Sequence, residues 1–215
     1  MVSEPVTSDP AGAPPPPGRR DAVRNYHRVL NAAREVLGES GADASMEEIA
    51  TRAGVGMGTV YRRFANKDAL IDELVRLSLS EALVEARQAL ACPGGDGLEQ
   101  FLRGLGALFA AHAKYAHLLL ERSADGATAR EIRAAVRELT SRALAAGTLN
   151  PGVTVGDMMA LVWGMRGLTE VAGEVAPGTW QRFLDIHLAG LRTPGPLSAT
   201  PSISAGQLAE LQRMP

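Results

Sequence analysis

Ser45-Met-Glu-Glu-Ile-Ala-Thr-Arg-Ala-Gly54-Val-Gly56-Met-Gly58-Thr-Val-Tyr-Arg-Arg-Phe64-Ala-Asn-Lys67 is the stretch that decides the fold. Ser45 followed three residues later by Glu48 is a capping box, in which each side chain satisfies an orphan backbone N–H at a helix start. Met46, Ile49, Ala50 and Ala53 then recur at helical spacing, so a short helix with one apolar face is expected. Gly54 ends it, because glycine takes the positive φ that a tight turn needs. A second helix of about two turns begins near Met57. Two short helices across a tight turn are the grammar of a helix-turn-helix, whose second helix is offered to the major groove of DNA.

Helical phase sorts the second helix into faces. Val60 and Phe64 are four residues apart and share the buried side. Gly58, Thr59, Tyr61, Arg62 and Arg63 fall on other faces, several of them outward. An exposed tyrosine and two adjacent arginines add little to a core. Arginine bonds a guanine edge through two N–H groups, and Tyr61 and Thr59 can donate to phosphate. Asn66 suits the cap of the next helix, and Lys67 sits at that helix's positive end, where a phosphate is favoured. The Gly54-x-Gly56-x-Gly58 run follows a helix rather than a strand and lacks the spacing of a phosphate-cradling loop.

Residues 24–75 resemble the TetR family of bacterial repressors. The resemblance rests on Gly-x-x-x-Gly-Thr-x-Tyr-x-x-Phe-x-x-Lys-x-x-Leu, here Gly54 through Leu70. It implies a three-helix DNA-binding domain, a connecting fourth helix, a variable ligand-binding core and a homodimer built mainly from the last two helices. By motif position, Gly58, Thr59, Tyr61, Arg63 and Lys67 are the implied DNA contacts, with Arg62 as a base reader. Met57 departs from the pattern, which commonly has lysine or serine there; a thymine methyl is the contact left to it.

Working outward, apolar residues keep helical spacing between two tails, and no strand-like alternation is seen, so the chain is read as all-α. Residues 1–18 carry a proline run and few large apolar groups, and are expected to be disordered. Residues 19–67 form the DNA-binding domain, 68–192 a helical ligand-binding and dimerisation domain, and 193–215 a second tail. The helix after Lys67 should stop at Cys92-Pro93-Gly94-Gly95. The next carries Leu98, Phe101, Leu105, Phe109 and His112 on one face. Residues 115–123 read as a separate short helix. The last two helices should run near 154–174 and 178–192. Both are apolar on more than one side, as helices between two packed layers must be. That points to a homodimer with Met158, Val162, Phe183, Leu184, His187 and Leu191 at its interface. A small-molecule effector site is expected around Phe101, Leu105, Phe109, His112, Trp163 and Arg166, with Tyr115 and Glu121 nearby.

The charge is unevenly placed. Arg19 to Lys67 holds nine basic and six acidic residues, leaving 13 basic and 18 acidic elsewhere. A basic block on an acidic body suits a polyanion partner, here double-stranded DNA. Arg19, Arg20, Arg24 and Arg28 read either as solvated groups or as an arm on DNA. Cys92 is the sole cysteine, which removes disulfide frameworks and cysteine zinc sites. His112, His117 and Glu121 lack a fourth ligand, so neither metal nor cofactor is expected. No apolar run reaches membrane-spanning length and no secretory signal opens the chain, giving a cytoplasmic reading. No paired carboxylates, nucleophile with base, or metal cluster stands out for an enzyme. A pure interaction module would have no use for the outward Arg62-Arg63 pair.

Overall fold

A computed structural model describes residues 17–113, 126–173 and 175–211. Residues 1–16 and the expected helix at 115–123, with Tyr115, His117 and Glu121, lie outside the described residues. Nine α-helices are described: α1 (Pro17–Ser40), α2 (Met46–Ala53), α3 (Met57–Arg63), α4 (Lys67–Ala91), α5 (Gly97–His112), α6 (Ala127–Ala145), α7 (Val155–Ala172), α8 (Thr179–Arg192) and α9 (Ala205–Leu211). A 3₁₀ turn at Gly41–Asp43 follows α1. Among the described residues there is no strand, and the chain is all-α.

Two cores form. The first gathers Val29, Leu30, Val36 and Leu37 of α1, Ile49 of α2, Val60 and Phe64 at α3, and Leu70, Ile71, Leu74 and Val75 of α4. The second runs from Ala82 through Phe101, Leu102, Val136, Leu139, Met158 and Met165 to Trp180, Leu184 and Leu188. The first half of α4 therefore belongs to the first core and the second half to the other. α4 thus contributes to both cores, and one continuous helix joins the two units. In the second unit α4 packs on α5 and α6, α5 meets α7 and α8, and α7 lies along α8.

Residues 193–211 are not a free tail. Asn150 is buried, and its side-chain amide donates to the carbonyls of Thr193 and Gly195, both at 2.8 Å. Its Oδ1 accepts from Gly152 N at 2.9 Å, and its own backbone N–H reaches Leu191 O. Further on, the chain passes so close to α7 that a Cβ on Gly156 would stand 2.2 Å from the carbonyl oxygen of Ile203. The segment is thus anchored by the Asn150 side chain, by a hydrogen bond from Thr154 Oγ1 to Ser202 Oγ at 2.9 Å, and by close approaches at Gly152 and Gly156. Asn150→Asp removes both donated bonds, each worth about 1–3 kcal/mol when its buried partner is orphaned. Trypsin should then cut at Arg192 roughly 10- to 100-fold faster, because cleavage follows the population of the opened segment. Unchanged cleavage would mean that Asn150 does not hold it.

Among the described residues no helix is long and apolar enough to cross a membrane. Within the same residues no group of three or more His, Cys, Asp or Glu side chains is placed to hold a metal ion.

Candidate nucleic-acid interface

The capping box forms as read: Ser45 Oγ accepts from Glu48 N at 3.1 Å, and the Glu48 carboxylate accepts from Ser45 N at 2.9 Å. At the other end of α2, Gly54 sits at φ 61°, ψ 41°. The glycine is needed twice over, for that left-handed backbone and for space. Arg28 of α1 donates to Gly54 O at 2.9 Å, and a Cβ there would lie 2.5 Å from its guanidinium. One of the arginines read as an arm is therefore spent on holding the turn. Arg24 pairs with Asp21 at the surface and Arg20 is exposed.

α3 then leaves the turn with Val60 fully enclosed and Phe64 buried. Their enclosure fixes the helix's rotation. Gly58, Tyr61, Arg62 and Arg63 are exposed together, Tyr61 by 47%, while Thr59 is half-buried. Arg62 reaches Thr59 Oγ1 only at 3.4 Å. Met57 packs against the first core, which accounts for an apolar residue where the family pattern has a polar one. Lys67 is half-buried and its Nζ donates to Ala44 O at 3.1 Å. It stitches the start of α4 to the turn before α2, so a structural duty sits beside the phosphate contact expected of it.

A Cβ on Gly58 would meet nothing within 4 Å. The fold does not require this glycine, whereas a backbone or phosphate approaching α3 would. Gly58→Leu should therefore leave the melting temperature unchanged or raise it, since glycine inside a helix costs about 0.5–1 kcal/mol relative to alanine. The same variant should bind duplex DNA at least tenfold more weakly. Intact DNA binding would remove Gly58 from the interface.

Beneath α3 lies a cluster that the sequence did not announce. The Tyr26 hydroxyl of α1 donates to the Glu73 carboxylate of α4. Glu73 also receives two bonds from Arg76, at 2.7 and 2.8 Å. Those bonds, with the phenol's, pull the Glu73 carboxyl down to about 2. The Arg63 guanidinium stands 4.9 Å from the centre of the Tyr26 ring, and Phe64 stacks on that ring at 6.2 Å. In the sequence Tyr26 falls at helical spacing with Val29, Leu30 and Ala33, which marks it only as one apolar position of a stripe.

The chain resembles known proteins along most of its length. Residues 29–74 match the family described as bacterial regulatory proteins, tetR family. Residues 93–193 match the C-terminal domain described as transcriptional regulator SbtR-like. A TetR transcription regulatory protein from Mycobacterium vanbaalenii is 30% identical, with 82% of this chain and all of that one covered at a TM-score of 0.57. The chain belongs to the TetR family. An HTH-type transcriptional regulator of Staphylococcus aureus is 34% identical over 71 residues, and the match spans only 38% of its length. The ketosteroid transcriptional regulator KstR2 of Mycobacterium tuberculosis shares the fold at 21% identity and a TM-score of 0.61, over 79% of this chain and 95% of that one. Members of the TetR family are transcriptional regulators with a helix-turn-helix DNA-binding domain, not enzymes, and α1–α3 with the first half of α4 are that domain here.

The body places the remaining expected residues unevenly. Phe101 is fully enclosed and Leu105 buried, both within the second core. Phe109, Trp163 and Arg166 are half-buried. The Arg166 Nε lies 3.2 Å from Glu170 but outside hydrogen-bond geometry, and burial lowers its pKa. His112 closes the end of α5 against α4, with Nδ1 3.2 Å from Ser78 Oγ and Nε2 3.4 Å from Glu81. Burial pushes its pKa below the usual value. Glu81 also meets Arg34 of α1 at 3.7 Å, so the end of α5 touches the DNA-binding unit through one carboxylate. The half-buried Cys92 thiol donates to Gln100 at 2.8 Å.

Of the residues expected at a dimer interface, Met158, Val162 and Leu184 are buried inside the second core of a single chain. Within the chain α5 packs against both α7 and α8, and α6 against α7, so the chain itself supplies an apolar layer facing these residues. Phe183 and Leu191 are half-buried and His187 is exposed. The outer faces of α7 and α8 instead show Ala160, Gly164, Val171, Ile186, His187 and Gly190, with Ile186 58% exposed. Phe183 bridges the two helices, lying over Gly164 and against the His187 ring, whose centre is 4.0 Å away.

Proposed function

We propose that this TetR-family regulator acts as a homodimeric repressor that grips a pseudo-palindromic duplex with α3 of each protomer and lets go when a small apolar ligand enters the body. The observation that carries this reading is the face of α3. Enclosure of Val60 and Phe64 leaves Gly58, Tyr61, Arg62 and Arg63 outward as one set. An aromatic hydroxyl beside two forked cations that form no ion pair among the described residues is chemistry suited to base edges and phosphates. Dimerisation is supported by the small and apolar residues exposed on the outer faces of α7 and α8, namely Ala160, Gly164, Val171, Ile186 and Gly190. Two recognition helices related by a two-fold axis would meet half-sites about 34–36 Å apart.

A ligand role is supported by the separate second core, by half-buried Phe109, Trp163 and Arg166, and by the Arg34–Glu81–His112 contact linking α5 to α1. Two structural neighbours are described as a fatty acid degradation regulator and a ketosteroid regulator, so acyl and steroid-like compounds are the first library to screen. A true effector raises the melting temperature by mass action and weakens DNA binding, because only unequal affinity for two states shifts their balance. Trp163→Ala should blunt that response while sparing DNA binding without ligand. The DNA half is tested by titrating salt against a selected duplex and a scrambled one. A specific complex should show a steep negative slope of log K on log salt with a clear preference for the selected duplex. Equal, weak binding to both would sink the assignment.

A further inference from the structure

Arg62 and Arg63 are adjacent and both exposed, yet the structure surrounds them differently. Among the described residues Arg62 has one long contact, with Thr59 Oγ1 at 3.4 Å. Arg63 is packed: its guanidinium lies 4.9 Å over the face of Tyr26, a residue 37 positions away on another helix. We propose that Tyr26 is a positioning residue for DNA recognition, holding Arg63 as a pre-set, edge-on reader at the end of α3, and this rests on the assignment of α3 as the DNA-contacting helix.

The physical case has three parts. A guanidinium drawn to an aromatic face by cation–π attraction keeps N–H donors unbonded, so the ring orders the cation without consuming the bonds that a guanine edge or phosphate needs. The ring itself is immobilised: Phe64, buried in the first core, stacks on it at 6.2 Å, and its hydroxyl is tied to Glu73. Finally, donation of the phenol proton toward a carboxylate leaves more electron density on the ring, which strengthens attraction to the cation above it. Glu73 is in turn held ionised by the two bonds from Arg76, and its charge also attracts Arg63. Ordering the arginine before binding removes part of the entropy lost when an exposed side chain is immobilised on DNA. Arg63 is then the more discriminating of the pair, and Arg62 the more adaptable.

A double-mutant cycle on a duplex obtained by selection from random sequence tests this, with circular dichroism as the folding control. Tyr26→Leu should weaken binding about tenfold, from about two- to fivefold at each of two half-sites. It should also relax base preference at the position that Arg63→Ala relaxes. In the Arg63→Ala background the same change should cost less than about twofold, because the coupling is gone. Tyr26→Phe, which keeps the ring, should stay within about threefold of the unmodified protein. Should Tyr26→Leu fail to fold, Arg63→Lys at the exposed position supplies the result: an ammonium cannot stack edge-on, so most of the Arg63→Ala loss should appear. Equal losses from Tyr26→Leu with and without Arg63, or full affinity in Arg63→Lys, would overturn the proposal while leaving the DNA-binding assignment intact. Unimpaired binding by Arg63→Ala itself would overturn both.

Discussion

Replacing Arg62 and Arg63 together by alanine should lower affinity for the selected duplex by at least a hundredfold and leave the fold unchanged. Both side chains are exposed beyond the Val60–Phe64 face, so their removal opens no cavity. A bidentate arginine–base contact discriminates by about 1–3 kcal/mol, and a two-fold complex contains each contact twice. Every 1.4 kcal/mol or so is a factor of ten, so even the lower bound for two residues at two half-sites exceeds a hundredfold. The loss stops at the level of non-specific binding, typically about 10³–10⁷ weaker than specific binding. Competition binding with the selected and scrambled duplexes measures both limits. A drop of less than about fivefold would mean that α3 does not carry the specificity.

The second large effect concerns assembly. Ile186→Glu places a carboxylate on the outer face of α8, where the isolated chain leaves the side chain in water. The protomer should fold as before, because Ile186 is outside both cores. Burying an unpaired carboxylate between two protomers is costly enough to dissolve a dimer. Light scattering should fall from about twice the 22.6 kDa chain mass to the chain mass itself. Affinity for a two-half-site duplex should then fall by about 10²–10⁴, since the second half-site no longer benefits from tethering to the first. Leu184→Glu is the contrasting control: that residue is fully enclosed, and a charge there should unfold the protomer. Retention of a dimer by Ile186→Glu at micromolar concentration would move the interface elsewhere.

The parts legible in the sequence were those governed by short-range rules. The capping box joins residues three apart, the Gly54 turn needs one backbone conformation, and Val60 with Phe64 set a helical phase within two turns. Each is written in adjacent letters, and each appears in the structure. What escaped was set by packing between distant segments. Tyr26 and Glu73 are 47 residues apart, and an amphipathic tyrosine in an apolar stripe reads as core until its hydroxyl partner is seen. Met158, Val162 and Leu184 illustrate a second limit. Periodicity reports that a face is apolar, but the same pattern serves a layer from the chain's own neighbouring helices or from a partner. Lys67 and Arg28 show a third, because a cation near the recognition helix suits a carbonyl of the same chain as well as a phosphate. Residues 193–211 lack the apolar content by which docking is usually recognised, and Asn150 holds them through backbone carbonyls instead.

The most direct test of the central claim is to select bound fragments from random duplex DNA in parallel with the unmodified protein and the Arg62→Ala/Arg63→Ala variant. The account predicts one enriched pseudo-palindrome for the unmodified protein, with half-sites about one helical turn apart or a small multiple of it, and loss of that enrichment in the variant. No enriched motif from the unmodified protein, or the same motif from both, would contradict it.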